Sequence, residues 1–233
     1  MTSLHPEGLN QAKLGESSRF CLHLLDLRPT PEELYRNFHK NHIQRKVQRA
    51  EREGLTLLEG RSETELNIFY KLLMLTRRRH QLPPQPMVWF QNLIAGFGEK
   101  LSIRIALKGE TPVASILTIA HNKTVVYKYG CSDSEFHNLG GMPFLFWGAI
   151  QHAKQQGMEE FDFGRSDLDN PGLISFKENF GAPRRDLVYY RYPVEASSAA
   201  TERPAMEAAR RAFSALPDFC LTAAGRLLYR HIG

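Results

Sequence analysis

The sequence predicts an α/β (α+β) domain: a mixed central sheet containing an antiparallel meander and flanked by helices. Three observations carry this reading. First, three apolar or alternating runs follow in close order, Leu101 to Leu107, Pro112 to Ala120 and Thr124 to Tyr129, separated by the turn signals Lys108-Gly109-Glu110 and His121-Asn122-Lys123, the pattern of consecutive hairpins. Second, helix-patterned segments precede this meander, and helix, strand, helix, strand follow it, which calls for a mixed sheet. Third, 42% hydrophobic and 24% charged residues over 233 positions describe a chain able to bury a real core, which excludes global disorder.

Taken in order, residues 1–18 are polar and aperiodic and read as a flexible arm. Residues 19–193 form the domain, residues 194–203 a small polar linker, and residues 204–233 a C-terminal basic amphipathic helical segment. Phe20 to Leu27 reads as a strand closed off by Pro29. Thr30-Pro31-Glu32-Glu33 opens a helix with a cap, a proline at the first helical position and acids in the first turn. Leu34, Phe38, Ile43, Val47 and Ala50 carry that helix to Gly54, with Lys40, Arg45, Lys46, Arg49 and Arg52 on its other face. Leu55 to Leu58 is a short strand. Ser62 and Glu65 stand as a capping box before a helix reaching about His80. Leu82-Pro83-Pro84-Gln85-Pro86 is a rigid break, and a third helix covers Met87 to Phe97. After the meander come a polar loop (Ser132 to Gly141), a helix from Pro143 to Gln156, a strand at Phe161 to Phe163, a short helix from Pro171 to Phe180 and a last strand from Leu187 to Tyr192.

Composition also excludes function classes. The three cysteines, Cys21, Cys131 and Cys220, are far apart, so neither a disulfide framework nor a paired-cysteine zinc site is expected. His80, His121, His137 and His152 show no metal-ligand spacing; no metal is expected. The N-terminal stretch lacks the apolar run of a signal peptide. The longest apolar run, Met142 to Ile150, falls far short of the ~20 residues a bilayer span needs, and a cytoplasmic location is expected. Net charge is +5, concentrated on the Lys40–Arg52 face and in the C-terminal segment.

Several stretches, in this order and spacing, resemble one family. They are the basic helix ending Arg45-Lys46-Val47-Gln48-Arg49-Ala50-Glu51-Arg52-Glu53-Gly54, then Leu72 to Pro84, and the helix Phe144 to Gly157 leading into Phe161-Asp162-Phe163-Gly164-Arg165-Ser166. Gly172 to Ala182 with its Phe176-Lys177 pair follows, and Tyr189-Tyr190-Arg191-Tyr192 closes the series. Together they resemble the GNAT acyltransferase superfamily, and more closely its FemAB-type branch, over about three quarters of the chain. The resemblance implies a central sheet whose strands splay apart to seat an acyl donor, either acyl-CoA (acetyl-CoA) or aminoacyl-tRNA. It implies an amine acceptor on a cell-envelope precursor, of peptidoglycan or exopolysaccharide. FemAB proteins carry two such domains, so the single domain here reads as the C-terminal type. A homodimer is one way to replace the other half; a non-catalytic remnant that binds a partner or a nucleotide-sugar is the alternative.

Individual residues then acquire candidate roles. An ammonium at Lys177 suits a phosphate or a developing oxyanion, and the resemblance places the family's Phe-Lys lysine there; a solvated lysine is the plainer reading. The guanidinium fork of Arg79 suits a diphosphate, and the resemblance implies an acceptor-phosphate ligand; complementing the helix dipole is the alternative. Asp162 is a candidate general base or polar anchor, Arg165 a phosphate contact, and Phe176 a substrate-side aromatic. Tyr129 is a candidate for proton transfer. The loop holding Asn138, Gly140 and Gly141 stands where the family cradles a donor pyrophosphate on backbone N–H groups, although it matches that motif loosely. The basic Lys40–Arg52 face suits tRNA phosphates, and the C-terminal segment suits either a membrane surface or packing on the domain.

Overall fold

The computed structural model describes residues 14–192 together with residues 222, 223, 225, 227 and 229. A seven-stranded sheet runs through it in the order β2-β3-β4-β5-β6-β1-β7. The strands are β1 Gly15–Asp26, β2 Leu55–Gly60, β3 Leu101–Lys108, β4 Thr111–His121, β5 Thr124–Ser132, β6 Glu160–Asp167 and β7 Arg184–Arg191. Among the described residues β5 and β6 are the one parallel pair; the other neighbours are antiparallel. The expected meander is β3-β4-β5.

Within residues 14–192 six α-helices flank the sheet: α1 Pro31–Asn37, α2 Arg45–Arg52, α3 Glu63–Arg79, α4 Met87–Phe97, α5 Gly141–Gln155 and α6 Pro171–Glu178. Alternation along the strands splits the core into two layers. Ile103, Ile105, Leu117 and Ile119 pack under α3 and α4 with Phe69 and Phe90. On the opposite face Ala106 and Ile116 pack under α2 and α5, where Phe146, Phe161, Phe163 and Phe180 form one aromatic cluster.

The structure corrects several boundaries. β1 begins at Gly15 and pairs with β7 from Gly15↔Arg191 onward, so residues 15–18 belong to the sheet and not to a loose arm. The helix expected from Pro31 to Gly54 is broken. Phe38 is extended and its ring is buried edge-on against Trp147 and Phe180. The chain then restarts at His39, whose Nδ1 accepts from the backbone N–H groups of Asn41 (3.2 Å) and His42 (3.4 Å). A π-helical turn, Lys40–Gln44, follows before α2. The polar loop after β5 is a 3₁₀ helix, Ser134–Leu139, and β6 extends four residues beyond Phe163 to Asp167. Of the C-terminal segment, Thr222, Ala223, Gly225 and Leu227 have helical backbone; the arm before residue 14, the linker and the rest of that segment lie outside the described residues.

Candidate active site: the parting of two parallel strands

β5 and β6 pair at three positions only, Thr124↔Glu160, Val125↔Phe161 and Val126↔Asp162. Beyond these each strand continues without the other, β5 to Ser132 and β6 to Asp167. Both change course at this level. In β5 the register with β4 slips between Thr118↔Tyr127 and Leu117↔Tyr129, leaving Lys128 as a bulge. In β6 Gly164 takes φ +73°, and a Cβ there would stand 3.3 Å from the Tyr127 carbonyl oxygen. Bulges bend strands and re-aim side chains. Here the bulge sends Tyr127 and Tyr129, two residues apart, to opposite faces. Tyr127 packs in the α5 layer against Phe146, and Tyr129 in the α3/α4 layer against Phe90.

The open end of the gap leads to the start of α5. Gly140 there has φ +79°, and an added Cβ would fall on the Lys46 carbonyl oxygen. Only glycine fits this turn, which presses α2 against the start of α5. A cavity of about 220 Å³ opens between them, lined by Lys46, Ser132, Phe136, His137, Met142 and Phe176 among others. The first-turn N–H groups of a helix lack partners within it. Pro143 removes one here, so Gly141 and Met142 supply the available donors. Asn138 is exposed on the 3₁₀ helix.

Lys177 is not a solvated lysine. It is 2% exposed, and its Nζ donates to the carbonyl oxygens of Gly164 (2.8 Å) and Arg165 (3.1 Å). Burial pushes its ammonium down to about 8, against the pull of Cys21, Asp162 and Asp167. It thereby fixes the bend in β6 from behind. Asp162 fixes it from the chain itself, its Oδ1 accepting from the Gly164 N–H at 2.6 Å. Burial holds this carboxyl above its ordinary range, opposed by that hydrogen bond and by Lys177.

The remaining candidates separate. Phe176 reaches the cavity and packs on Phe146 and Phe180. Arg79 Nη1 donates to the Ser132 carbonyl oxygen at 3.0 Å, at the end of β5 beside the cavity. The Tyr129 hydroxyl accepts from Trp89 Nε1 at 3.0 Å, and burial raises its phenol. Arg165 turns away from β5, its guanidinium lying 4.2 Å over the Phe20 ring and 5.4 Å from that of Tyr189. Arg165 is thus engaged in cation–π stacking on β1 and β7.

Four residues enter the site that sequence reasoning passed over as functional: Tyr127, Ser132, His137 and, individually, Lys46. His137 Nε2 lies 2.9 Å from Ser132 Oγ, and burial together with nearby Arg79 holds its imidazole below the ordinary range. The basic run announced Lys46 as one charge among several; a bulge that swaps Tyr127 for Tyr129 leaves no signature in a single sequence. Among the described residues no group of three or more His, Cys, Asp or Glu could hold a metal, and no helix is long and apolar enough to cross a membrane.

A mixed sheet that opens between two parallel strands, with a glycine-started helix at the opening, defines an acyltransferase type of fold. The sequence profile of the acetyltransferase (GNAT) domain matches residues 37–177, and the chain belongs to that family. A UDP-N-acetylmuramoylpentapeptide-lysine N(6)-alanyltransferase of Weissella viridescens is 27% identical over 146 residues, 60% of this chain. The chain spans 43% of that relative's length. Among solved structures, the crystal structure of FemX superposes with a TM-score of 0.65 at 14% identity, covering 88% of this chain and 70% of that one. The structure of L-PGS from Bacillus licheniformis superposes with a TM-score of 0.57 at 17% identity, covering 88% and 69%. At these identities the two structures speak for the fold.

Proposed function

We propose that this domain transfers an acyl or aminoacyl group from a thioester or ester donor to an amine of a cell-envelope acceptor. The donor is aminoacyl-tRNA or acyl-CoA, and the acceptor a peptidoglycan precursor or exopolysaccharide. The observation that carries this reading is the parting of β5 from β6 after three paired positions, with the cavity at the start of α5 at its open end. The alanyltransferase relative, named for transfer of an alanyl group to a UDP-N-acetylmuramoyl pentapeptide, favours an aminoacyl donor and a peptidoglycan precursor.

In this reading the amine nitrogen attacks the donor carbonyl in the gap. A C–N bond forms, the C–O or C–S bond breaks, and the leaving oxygen or sulfur takes up a proton as the amine gives one up. Rate comes from positioning and electrostatics, with no covalent enzyme intermediate. Lys46 and the N–H groups of Gly141 and Met142 hold the donor's phosphate end, joined by Arg45 and Arg49 if the donor is tRNA. Lys177 and Asp162 fix the β6 wall, and the Lys177 ammonium places positive charge behind the Gly164–Arg165 backbone. Arg79 and Phe176 stand at the two sides of the mouth where an acceptor enters.

The test is direct. The full chain is incubated with UDP-N-acetylmuramoyl pentapeptide and either alanyl-tRNA or acetyl-CoA, and the acceptor is weighed by mass spectrometry. A mass gain of one aminoacyl or acetyl group, abolished by Lys177→Met, is expected. No gain with either donor, together with no thermal shift from either, overturns the proposal. A donor present at ~100 times its Kd adds about 2.7 kcal/mol, which raises Tm by several degrees.

A further inference from the structure

At the opposite end of α5 from the gap lies a second chamber, of about 650 Å³. It is roofed by the last turns of α5 and floored by β2 to β5. The helix presents its small residues on this side. Leu145, Phe146 and Ile150 fill the core, whereas Ala149 and Ala153 face the chamber.

The floor carries an ion pair whose guanidinium is buried and whose carboxylate stays partly open to solvent. Arg104 stands opposite Glu59 in the β2–β3 ladder and is 3% exposed. Its Nη2 donates to Glu59 Oε1 at 2.7 Å and its Nη1 to Thr118 Oγ1 at 2.9 Å, while its Nε is buried without a partner. Ser102 Oγ also donates to Glu59 Oε1, at 2.6 Å. Burying the Arg104 guanidinium costs desolvation that an apolar residue would avoid, while Glu59 keeps contact with solvent. A chamber of this size with convergent polar groups on an apolar floor has the character of a small-molecule site.

The chemistry of the walls narrows the ligand. Both donors fall on Oε1 of Glu59, which leaves Oε2 facing His152 Nδ1 at 3.8 Å. That separation is too long for a hydrogen bond and short enough for a shared N–H donor. The carbonyl end of α5 lies beside it, and its partial negative charge favours a cation. Yet the chamber as a whole carries three cations, Arg61, Lys100 and Arg104, against two carboxylates, Glu59 and Glu99; Arg104 is paired with Glu59 and Arg61 Nη2 donates to Glu99 Oε1 at 3.2 Å, so the excess positive charge sits at Lys100. A bare cation is repelled overall and a bare anion meets Glu59. A zwitterion satisfies both ends.

We propose that this chamber binds a free α-amino acid with a short apolar side chain. Its ammonium bridges Glu59 Oε2 and His152, the latter in its Nε2–H tautomer. Its carboxylate faces Lys100 at the rim, beside the Arg61–Glu99 pair, and its side chain rests on Ala120, Val125 and Ala153. This site is separate from the transferase reading, and its test does not depend on transfer.

Isothermal titration of the full chain with L-leucine is the experiment, with 3-methylbutylamine and 4-methylpentanoate as the two half-molecules. L-Leucine is expected to bind at roughly millimolar Kd or tighter, and each half-molecule at least about tenfold more weakly. Glu59→Gln should abolish binding. Because that change also touches the Arg104 pair, Ala120→Leu serves as the second variant; it fills the chamber from the half-buried end of β4 and should abolish binding with the melting curve retained. Absence of saturable heat with L-leucine overturns the proposal. So does binding that survives Ala120→Leu, or either half-molecule binding as tightly as the whole.

Discussion

Lys177 Nζ lies 2.8 Å from the carbonyl oxygen of Gly164, reaching across from α6 to the bend in β6. The bond holds a cation in a nearly dry place, and burial lowers the ammonium to about 8. An unfolded lysine keeps its proton to about pH 10.4. Between those values the unfolded chain binds the extra proton, so stability attributable to this group rises with pH, by ~3 kcal/mol at most. Below pH 8 both states are charged and the folded state bears the full cost. Urea unfolding of wild type and Lys177→Met across this window checks it: the difference between the two curves should shift in favour of wild type as pH rises. A difference independent of pH would refute the buried ammonium.

Gly140→Ala should lower stability by ~2 kcal/mol or more, since φ +79° is strained for an L residue and the new methyl meets the Lys46 carbonyl oxygen. Differential scanning calorimetry should register a drop of roughly 4–8 °C. Gly157, also at positive φ but with open space around its Cβ position, is the control, and Gly157→Ala should cost clearly less.

Tyr127 and Tyr129 compete for the proton-handling role. The Tyr129 hydroxyl is engaged with Trp89 on the α3/α4 face, so Tyr129→Phe is expected to cost about 1 kcal/mol of stability and to leave kcat within a few-fold. Tyr127→Phe, altering the phenol that stands over Gly130 at the gap, should lower kcat by roughly tenfold to a hundredfold. The reverse ranking in the transfer assay would restore Tyr129.

Lys46→Gln should weaken donor binding by about tenfold with Tm little changed, because its side chain is exposed. If the donor is tRNA, the slope of log K against log salt should also shrink by about one phosphate contact. An unchanged slope alongside weakened acetyl-CoA binding would identify the CoA donor instead.

Much of the fold was legible because local chemistry and tertiary structure agree. Ser62 and Glu65 close the capping box their spacing announced, and Thr30 caps its helix as expected, with Glu33 completing a box there too. The β3-β4-β5 meander follows its turn residues. What escaped notice depends on partners distant in sequence. The break at Phe38 exists because Trp147 and Phe180 supply a pocket for its ring, and the continuous apolar spacing from Leu34 to Ala50 conceals it. The bulge at Lys128 is a property of the β4–β5 register. Arg165 reads as lying just past a strand end, yet it lies within β6, and its direction is set by Phe20 on another strand. Lys177 was singled out by its neighbours in sequence, while its burial follows from the bend at Gly164.

The separation of β5 from β6 has a further consequence. An open sheet has two margins; this one has a third in its interior, where β5 runs on past Val126 and β6 past Asp162 with no ladder between them. Backbone N–H and C=O groups along such a seam require partners. A guest bearing amides at peptide-like intervals can mend the ladder as a stand-in strand, whereas a hydrocarbon of the same length leaves it unzipped.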